Sequence, residues 1–172
     1  SMVTVGATLR RALHELEVTS PTPRLDAEVL VMHACGINRS ELITRHEMAL
    51  TGEQQNKLES LLARRKRGEP VAYITDAREF WSMELNVTPA TLIPRPETEL
   101  LVEKALEHIP RDAEWAIVDL GTGSGAVALA IAKERPHCRV VATDSSTAAL
   151  DVARSNAEKF ALTNVEFREG DW

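Results

Sequence analysis

The stretch Val118-Asp119-Leu120-Gly121-Thr122-Gly123-Ser124-Gly125-Ala126 constrains this chain more than any other. An apolar run, Trp115–Leu120, precedes it and reads as a short buried strand. Gly125–Glu134, rich in Ala, Val, Leu and Ile, follows and reads as a helix lying flat on a sheet. Glycine at every second position lets the backbone turn sharply and approach a ligand closely. The helix that opens there offers free backbone N–H groups. Arg139–Thr143 then reads as a second strand, Thr147–Phe160 as a second helix and Val165–Arg168 as a third strand. Strand, helix, strand, helix, strand at this spacing predicts an α/β fold with a parallel, doubly wound sheet.

The glycines alone leave the ligand open. Gly121, Gly123 and Ala126 satisfy the dinucleotide pattern in its Ala-ending form, and the same turn serves S-adenosylmethionine enzymes. A tight turn with no ligand is the third reading. Asp119 discriminates, because a carboxylate at the strand end attracts an ammonium and repels a pyrophosphate. Its bland alternative is a carboxylate satisfied by loop N–H groups. Asp144, ending the second strand, suits both ribose hydroxyls of either cofactor, or caps the next helix.

The front of the chain reads differently. Residues 1–68 predict a helical module, with Val5, Leu9, Leu13 and Leu16 on one helical face and Leu25, Val29 and Met32 on another, widened by Ala27, Leu30 and Val31. Gly36 suits a helix stop, Ser40 a cap, and Thr51 with Gln54 a capping box ahead of Leu58, Leu61 and Leu62. Arg64-Arg65-Lys66-Arg67 reads as solvated charge at a helix C-terminus, or else as a contact for RNA or an acidic protein. Val71–Thr75 and Glu79–Val87 predict two strands joined at Asp76-Ala77. Pro94 and Pro96 fix an extended approach to a helix that carries Leu100, Leu101, Lys104 and Ala105 to about Ile109. The expected domains are 1–68, a hairpin linker over 69–90, and 91–172.

A net charge of −6 argues against a broad nucleic-acid surface. Residues 1–68 hold ten Lys/Arg and eight Asp/Glu, and the remainder ten and eighteen, so the sheet half carries the acid. Cys35 and Cys138 match no metal spacing, and His14, His33, His46, His108 and His137 are scattered, so no metal is expected. Reduced cysteines and a start without a basic stretch and apolar core point to the cytoplasm, and no run has the length of a membrane span.

Several segments together resemble the HemK/PrmC methyltransferases. Asp119-Leu120-Gly121-Thr122-Gly123-Ser124-Gly125 is similar to that family's first motif, and Asp144-Ser-Ser with Ala149-Leu150, Ala153 and Asn156-Ala157 to its second strand and following helix. Arg67-Gly68-Glu69-Pro70-Val-Ala-Tyr73-Ile74 and Glu79-Phe80-Trp81 resemble the hairpin before its catalytic domain, with Asp76 where a glycine is usual. Leu92-Ile93-Pro94-Arg95-Pro96-Glu97-Thr98-Glu99 is similar to the family's most individual segment.

The resemblance implies a fold: an N-terminal helical bundle plus β-hairpin, then the first half of a class I, Rossmann-like methyltransferase sheet. It implies S-adenosyl-L-methionine as cofactor, with S-adenosyl-L-homocysteine as product. The implied site is Asp119, Gly121, Thr122, Gly123, Ser124 and Gly125 around the methionine part, Asp144 on the ribose, and Asp171 and Trp172 at the adenine. The implied reaction is N5-methylation of the glutamine in the Gly-Gly-Gln loop of peptide-chain release factors, with no membrane and no direct nucleic-acid partner. The family's Asn-Pro-Pro-Tyr motif, which holds the glutamine amide, lies beyond Trp172, so no catalytic residue is expected within the chain and the chain alone is expected to be inactive. Other acceptors for a methyltransferase, a cofactor- or release-factor-binding module without catalysis, and a nicotinamide dehydrogenase remain competing readings.

Overall fold

The computed structural model describes residues 2–172; Ser1, part of the start assessed for a targeting segment, lies outside it. The chain divides into two compact units, Ser1–Thr75 and Asp76–Trp172. The stretch 69–90 is thereby shared between them. Among the described residues no helix is long and apolar enough to cross a membrane.

The first unit is helical: α1 Val5–Leu16, α2 Pro23–Cys35, α3 Arg39–Thr44, α4 Gly52–Lys66 and α5 Val71–Thr75. Its core is Val5, Leu16, Leu30, Val31, Leu58 and Leu62, all essentially inaccessible. The capping box at Thr51 and Gln54 forms as read from sequence. The cap of α3 is Asn38 rather than Ser40: its side chain accepts from the Glu41 N–H while Glu41 reaches back. In α2 the buried stripe is centred on Ala27, Leu30, Val31 and Ala34, and Leu25 is half exposed. The basic run is largely paired within the unit. Arg64 meets Glu69, Arg65 meets the buried Asp26 at 2.8 Å, and Lys66 meets Glu15 at 3.1 Å. Asp26 also accepts from the Ser20 and Thr22 hydroxyls, so the buried charge is fully hydrogen-bonded. Val71–Thr75, expected as a strand, is the short helix α5, because Pro70 opens a turn whose carbonyl accepts from the Tyr73 and Ile74 N–H groups.

The second unit opens with a hairpin, β1 Ala77–Phe80 and β2 Met83–Asn86. Its turn is Trp81-Ser82, not Asp76-Ala77. Both turn residues are left-handed (φ 52° and 59°), as a two-residue hairpin of this twist requires. A left-handed tryptophan is unusual. Here two glutamates hold it: Glu99 accepts its backbone N–H at 2.8 Å and Glu134 its indole N–H at 3.0 Å. Asp76, where a glycine is usual in the resembled hairpin, does take a left-handed φ of 56°.

Helix α6, Thr98–His108, follows; it buries Val102 and leaves Leu100 and Leu101 exposed. Then β3 Ala116–Leu120, α7 Ala126–Glu134, β4 Arg139–Asp144, α8 Thr147–Lys159 and β5 Val165–Glu169 form a parallel sheet in the order β3-β4-β5. Ile117, Val140, Ala142, Val165 and Phe167 join the α7 core residues Ala128, Leu129 and Ala132, together with Phe80, Met83 and Leu85 of the hairpin. The opposite face of β3 is open: Val118 is 57% and Leu120 61% exposed. The strand is therefore not the buried one expected from its composition.

Two polar side chains close the helix ends beneath this core. Arg135, buried, donates to the carbonyls of Ile109 (2.8 Å), Leu106 (3.0 Å) and Glu134 (2.9 Å), capping α6 and tying it to α7. Asn164 donates to the carbonyls of Ala132, Arg135 and Cys138 around the end of α7. Arg135→Ala strips donors from these carbonyls and is expected to cost about 2–4 kcal/mol. Chemical denaturation of the chain, followed by tryptophan fluorescence and circular dichroism, checks this; a loss under ~0.5 kcal/mol is what an ordinary surface substitution gives.

Candidate functional site

The site lies at the carboxyl ends of the three parallel strands, where open α/β sheets bind ligands. Between β3 and α7, Gly121, Gly123 and Gly125 all adopt left-handed backbone, with φ of 72°, 56° and 88°. A side chain added at Gly121 or Gly123 would meet no atom within 4 Å, so both face open space. Gly125 differs: a Cβ there would press on Ala153 of α8 at 3.2 Å and on Leu129 at 3.3 Å. Two glycines thus clear room for a ligand, and the third brings α7 and α8 together.

The loop's backbone is held by β4, by α8 and by one bond within the loop itself. The Thr122 N–H donates to the Thr143 carbonyl at 2.7 Å, and the Thr143 hydroxyl donates to the Asp119 carbonyl at 2.9 Å. The Gly125 N–H donates to the Thr122 carbonyl at 2.8 Å. Asp144 accepts the Gly123 N–H at 2.9 Å on one oxygen and the Ser146 N–H at 3.0 Å on the other. The cap of α8 is Ser146, which accepts from the Ala149 N–H. Asp144 therefore holds the loop and leads into α8 rather than capping it. Each carboxylate oxygen keeps a lone pair for a further donor such as a ribose hydroxyl.

The residues read from sequence sort by position. Gly121, Gly123 and Asp144 reach the open side, while Thr122 and Ser124 are buried within the loop. Asp119 is also turned inward: the Thr122 hydroxyl donates to its carboxylate at 2.7 Å. Burial pushes the Asp119 carboxyl above its ordinary range, and the Asp144 charge adds to this; the Thr122 hydroxyl and the Ala128 N–H pull the other way. Asp171 and Trp172 follow Gly170 past the end of β5, which pairs with β4 as far as Asp144, and the Gly170 N–H donates to the Asp144 carbonyl at 3.0 Å. The Trp172 ring folds back over Gly170, where any side chain would strike it, and remains 76% exposed.

Sequence reasoning missed one contributor. Asn156 on α8 is completely buried, and its side-chain amide bonds to the Ser124 carbonyl and to both backbone groups of Asn86. Its local trace is a helix-interior asparagine among alanines, a position that ordinarily favours better helix formers. Among the described residues no group of three or more His, Cys, Asp or Glu is arranged to hold a metal.

Residues 7–75 match the PrmC N-terminal domain, and residues 111–172 match a methyltransferase domain. The chain is 47% identical over 171 residues to the release factor glutamine methyltransferase of Coxiella burnetii, covering 99% of this chain and 62% of that protein. The Escherichia coli protein of the same name is 48% identical over 164 residues, covering 95% of this chain and 58% of the relative. That of Burkholderia pseudomallei is 50% identical over 163 residues, covering 92% and 57%. The chain thus spans about three-fifths of the length of the curated relatives it matches.

The state of Asp119 is measurable through stability. A carboxyl whose folded pKa is raised binds its proton more tightly in the folded than in the unfolded state, so its ionisation costs stability as pH rises through the raised value. Asp119→Asn removes that cost. The melting temperature of the variant minus that of the parent is expected to move in the variant's favour between about pH 4 and pH 7. A difference that stays flat over that range contradicts the raised carboxyl.

Proposed function

We propose that the parent activity is S-adenosylmethionine-dependent N5-methylation of a glutamine side chain in peptide-chain release factors, a reading supported by the PrmC N-terminal domain match and by the release factor glutamine methyltransferases to which the chain is similar. The observation that carries the reading is the loop itself. Gly121 and Gly123 face open space beside a carboxylate, Asp144, that is already bound to the Gly123 N–H.

The electrostatics favour this cofactor over a dinucleotide. Asp119 and Asp144 put two carboxylates at one loop, and the Asp144 charge adds to the cost of ionising Asp119. A ligand with an ammonium and a sulfonium relieves that repulsion, whereas a pyrophosphate adds to it. When bound, the cofactor supplies a methyl carbon made electrophilic by the adjoining sulfonium. The chain's own residues bind and orient it. Gly121 to Gly125 wrap the methionine part, Asp144 accepts from the ribose hydroxyls, and Trp172 lies against the adenine with Asp171 at its exocyclic amine. A large flat indole suits a flat aromatic base. Asp119 acts from behind the loop, bracing Thr122 and contributing negative potential.

The helical region 1–68 is the release-factor-recognition domain in this reading, and the cytoplasm, where release factors work, is its place. Arg64, Arg65 and Lys66 form ion pairs inside the unit, which supports a structural role for that basic run.

Calorimetric titration with S-adenosyl-L-homocysteine tests the site. The chain is expected to bind one equivalent. Asp144→Ala, which loses the ribose acceptor and frees the Gly123 N–H, is expected to weaken binding by about a hundredfold, or ~2.7 kcal/mol. Asp144→Asn, which keeps one acceptor, falls between. NADH competing as well as S-adenosyl-L-homocysteine, or an Asp144→Ala chain binding like the parent, contradicts the assignment. Transfer of labelled methyl groups to a release factor bearing Gly-Gly-Gln, and none to a Gly-Gly-Glu variant, tests the acceptor on the parent enzyme.

A further inference from the structure

One polar side chain of the second unit is fully buried yet belongs to none of the ligand-facing groups. Asn156, in the last turn and a half of α8, accepts the Asn86 N–H at 2.7 Å on its oxygen. Its NH₂ donates to the Asn86 carbonyl at 2.9 Å and to the Ser124 carbonyl at 2.8 Å. The amide meets Asn86 as a neighbouring strand would, using both backbone groups at the end of β2. The network also fixes its sense. Turned over, the amide would set NH₂ against N–H and its oxygen against two carbonyls.

The Ser124 contact matters because of what lies on either side. The peptide plane between Ser124 and Gly125 carries the Ser124 carbonyl at one end and the Gly125 N–H at the other. Gly125 tolerates either sense of that plane, having no Cβ to oppose rotation. The N–H end is held by the Thr122 carbonyl, within the loop itself. The carbonyl end is held by Asn156, from outside the loop. Flipping the plane would break both bonds and turn the Ser124 carbonyl and the Gly125 N–H away from their partners, next to the Gly123 N–H that sits on Asp144.

We propose that Asn156 is the positioning residue of the 121–125 loop: it latches the Ser124–Gly125 peptide in the sense that receives the cofactor and ties that sense to the β-hairpin through Asn86. The inference rests on the reading of the loop as a cofactor site. Asn156 touches no cofactor in this scheme. It acts through Ser124, and the hairpin contributes to affinity through Asn86 although it precedes both the loop and α8 in sequence.

The test compares Asn156→Ala with Val102→Ala, an apolar truncation on α6 in the same core. Each variant is titrated with S-adenosyl-L-homocysteine at a temperature where it is folded. Asn156→Ala is expected to bind about tenfold more weakly or worse, with Val102→Ala close to the parent. Equal affinity of Asn156→Ala and the parent overturns the proposal, and so does an equal loss in Val102→Ala, which would mark a general loosening of the unit. Hydrogen exchange on the unmodified chain needs no substitution and covers the case in which Asn156→Ala does not fold. Saturating S-adenosyl-L-homocysteine is expected to slow exchange of the Asn86 N–H, and an unchanged rate there overturns the tie to the hairpin. Failure of the cofactor reading itself shows separately, as a folded parent chain that binds no S-adenosyl-L-homocysteine.

Discussion

Three left-handed residues in five, at Gly121, Gly123 and Gly125, set the terms for the rest of the second unit. A backbone bent this way cannot satisfy its own polar groups by regular pairing, and a buried group left unpaired costs about 1–3 kcal/mol. Beyond the Gly125 N–H, which the loop's own Thr122 carbonyl accepts, partners come from elsewhere. Thr143 supplies one at the end of β4, Asp144 another, and Asn156 a third from two turns into α8. The sheet register follows from the same need. Only with Asp119 opposite Ala142 and Leu120 opposite Thr143 does the Thr143 carbonyl stand under the Thr122 N–H. The loop that makes room for a ligand is also the point to which β4, α8 and the hairpin are fastened.

Much of this was legible in the sequence, and the reasons differ by element. The strand-helix alternation from β3 to β5 was clear because each element is long enough to show its period and each boundary carries a turn residue or a cap. The Thr51–Gln54 box was clear because both of its bonds lie within four residues. The hairpin was misplaced for the opposite reason. Its turn uses Trp81 and Ser82 at φ values normally reserved for Gly or Asn, and the groups that hold Trp81 there, Glu99 and Glu134, lie 18 and 53 residues away. Helix α5 was misread because Val71, Ile74 and Thr75 favour strands while Pro70 favours a helical first turn, and five residues are too few for periodicity to decide. Asn156 was visible only as part of a motif. Its partners sit 32 and 70 residues earlier, and no local rule links an asparagine in one helix to a carbonyl in another loop.

The acid at the site illustrates how fold and function share one residue. Asp119 was read as a ligand for an ammonium or as a carboxylate satisfied by the loop. The structure engages its side chain with Thr122, which is the bracing role, yet burial and the Asp144 charge keep its ionised form costly. Those two facts are compatible. A carboxylate that braces the loop from within still projects negative potential across a site lined by backbone, and partial burial screens that potential less than open water would.

The open face of β3 sharpens the point about where the site's geometry comes from. Val118 and Leu120 present more than half their surface, a patch that ordinarily marks a place where something else packs. Among the described residues, the hydrogen bonds that shape the loop come from β4, from α8 and from the loop itself. The apolar support is equally one-sided, with Ile117, Val140 and Ala142 packed with α7 and the hairpin residues Phe80, Met83 and Leu85. The loop, Asp144 and Asn156 therefore form a self-supporting arrangement.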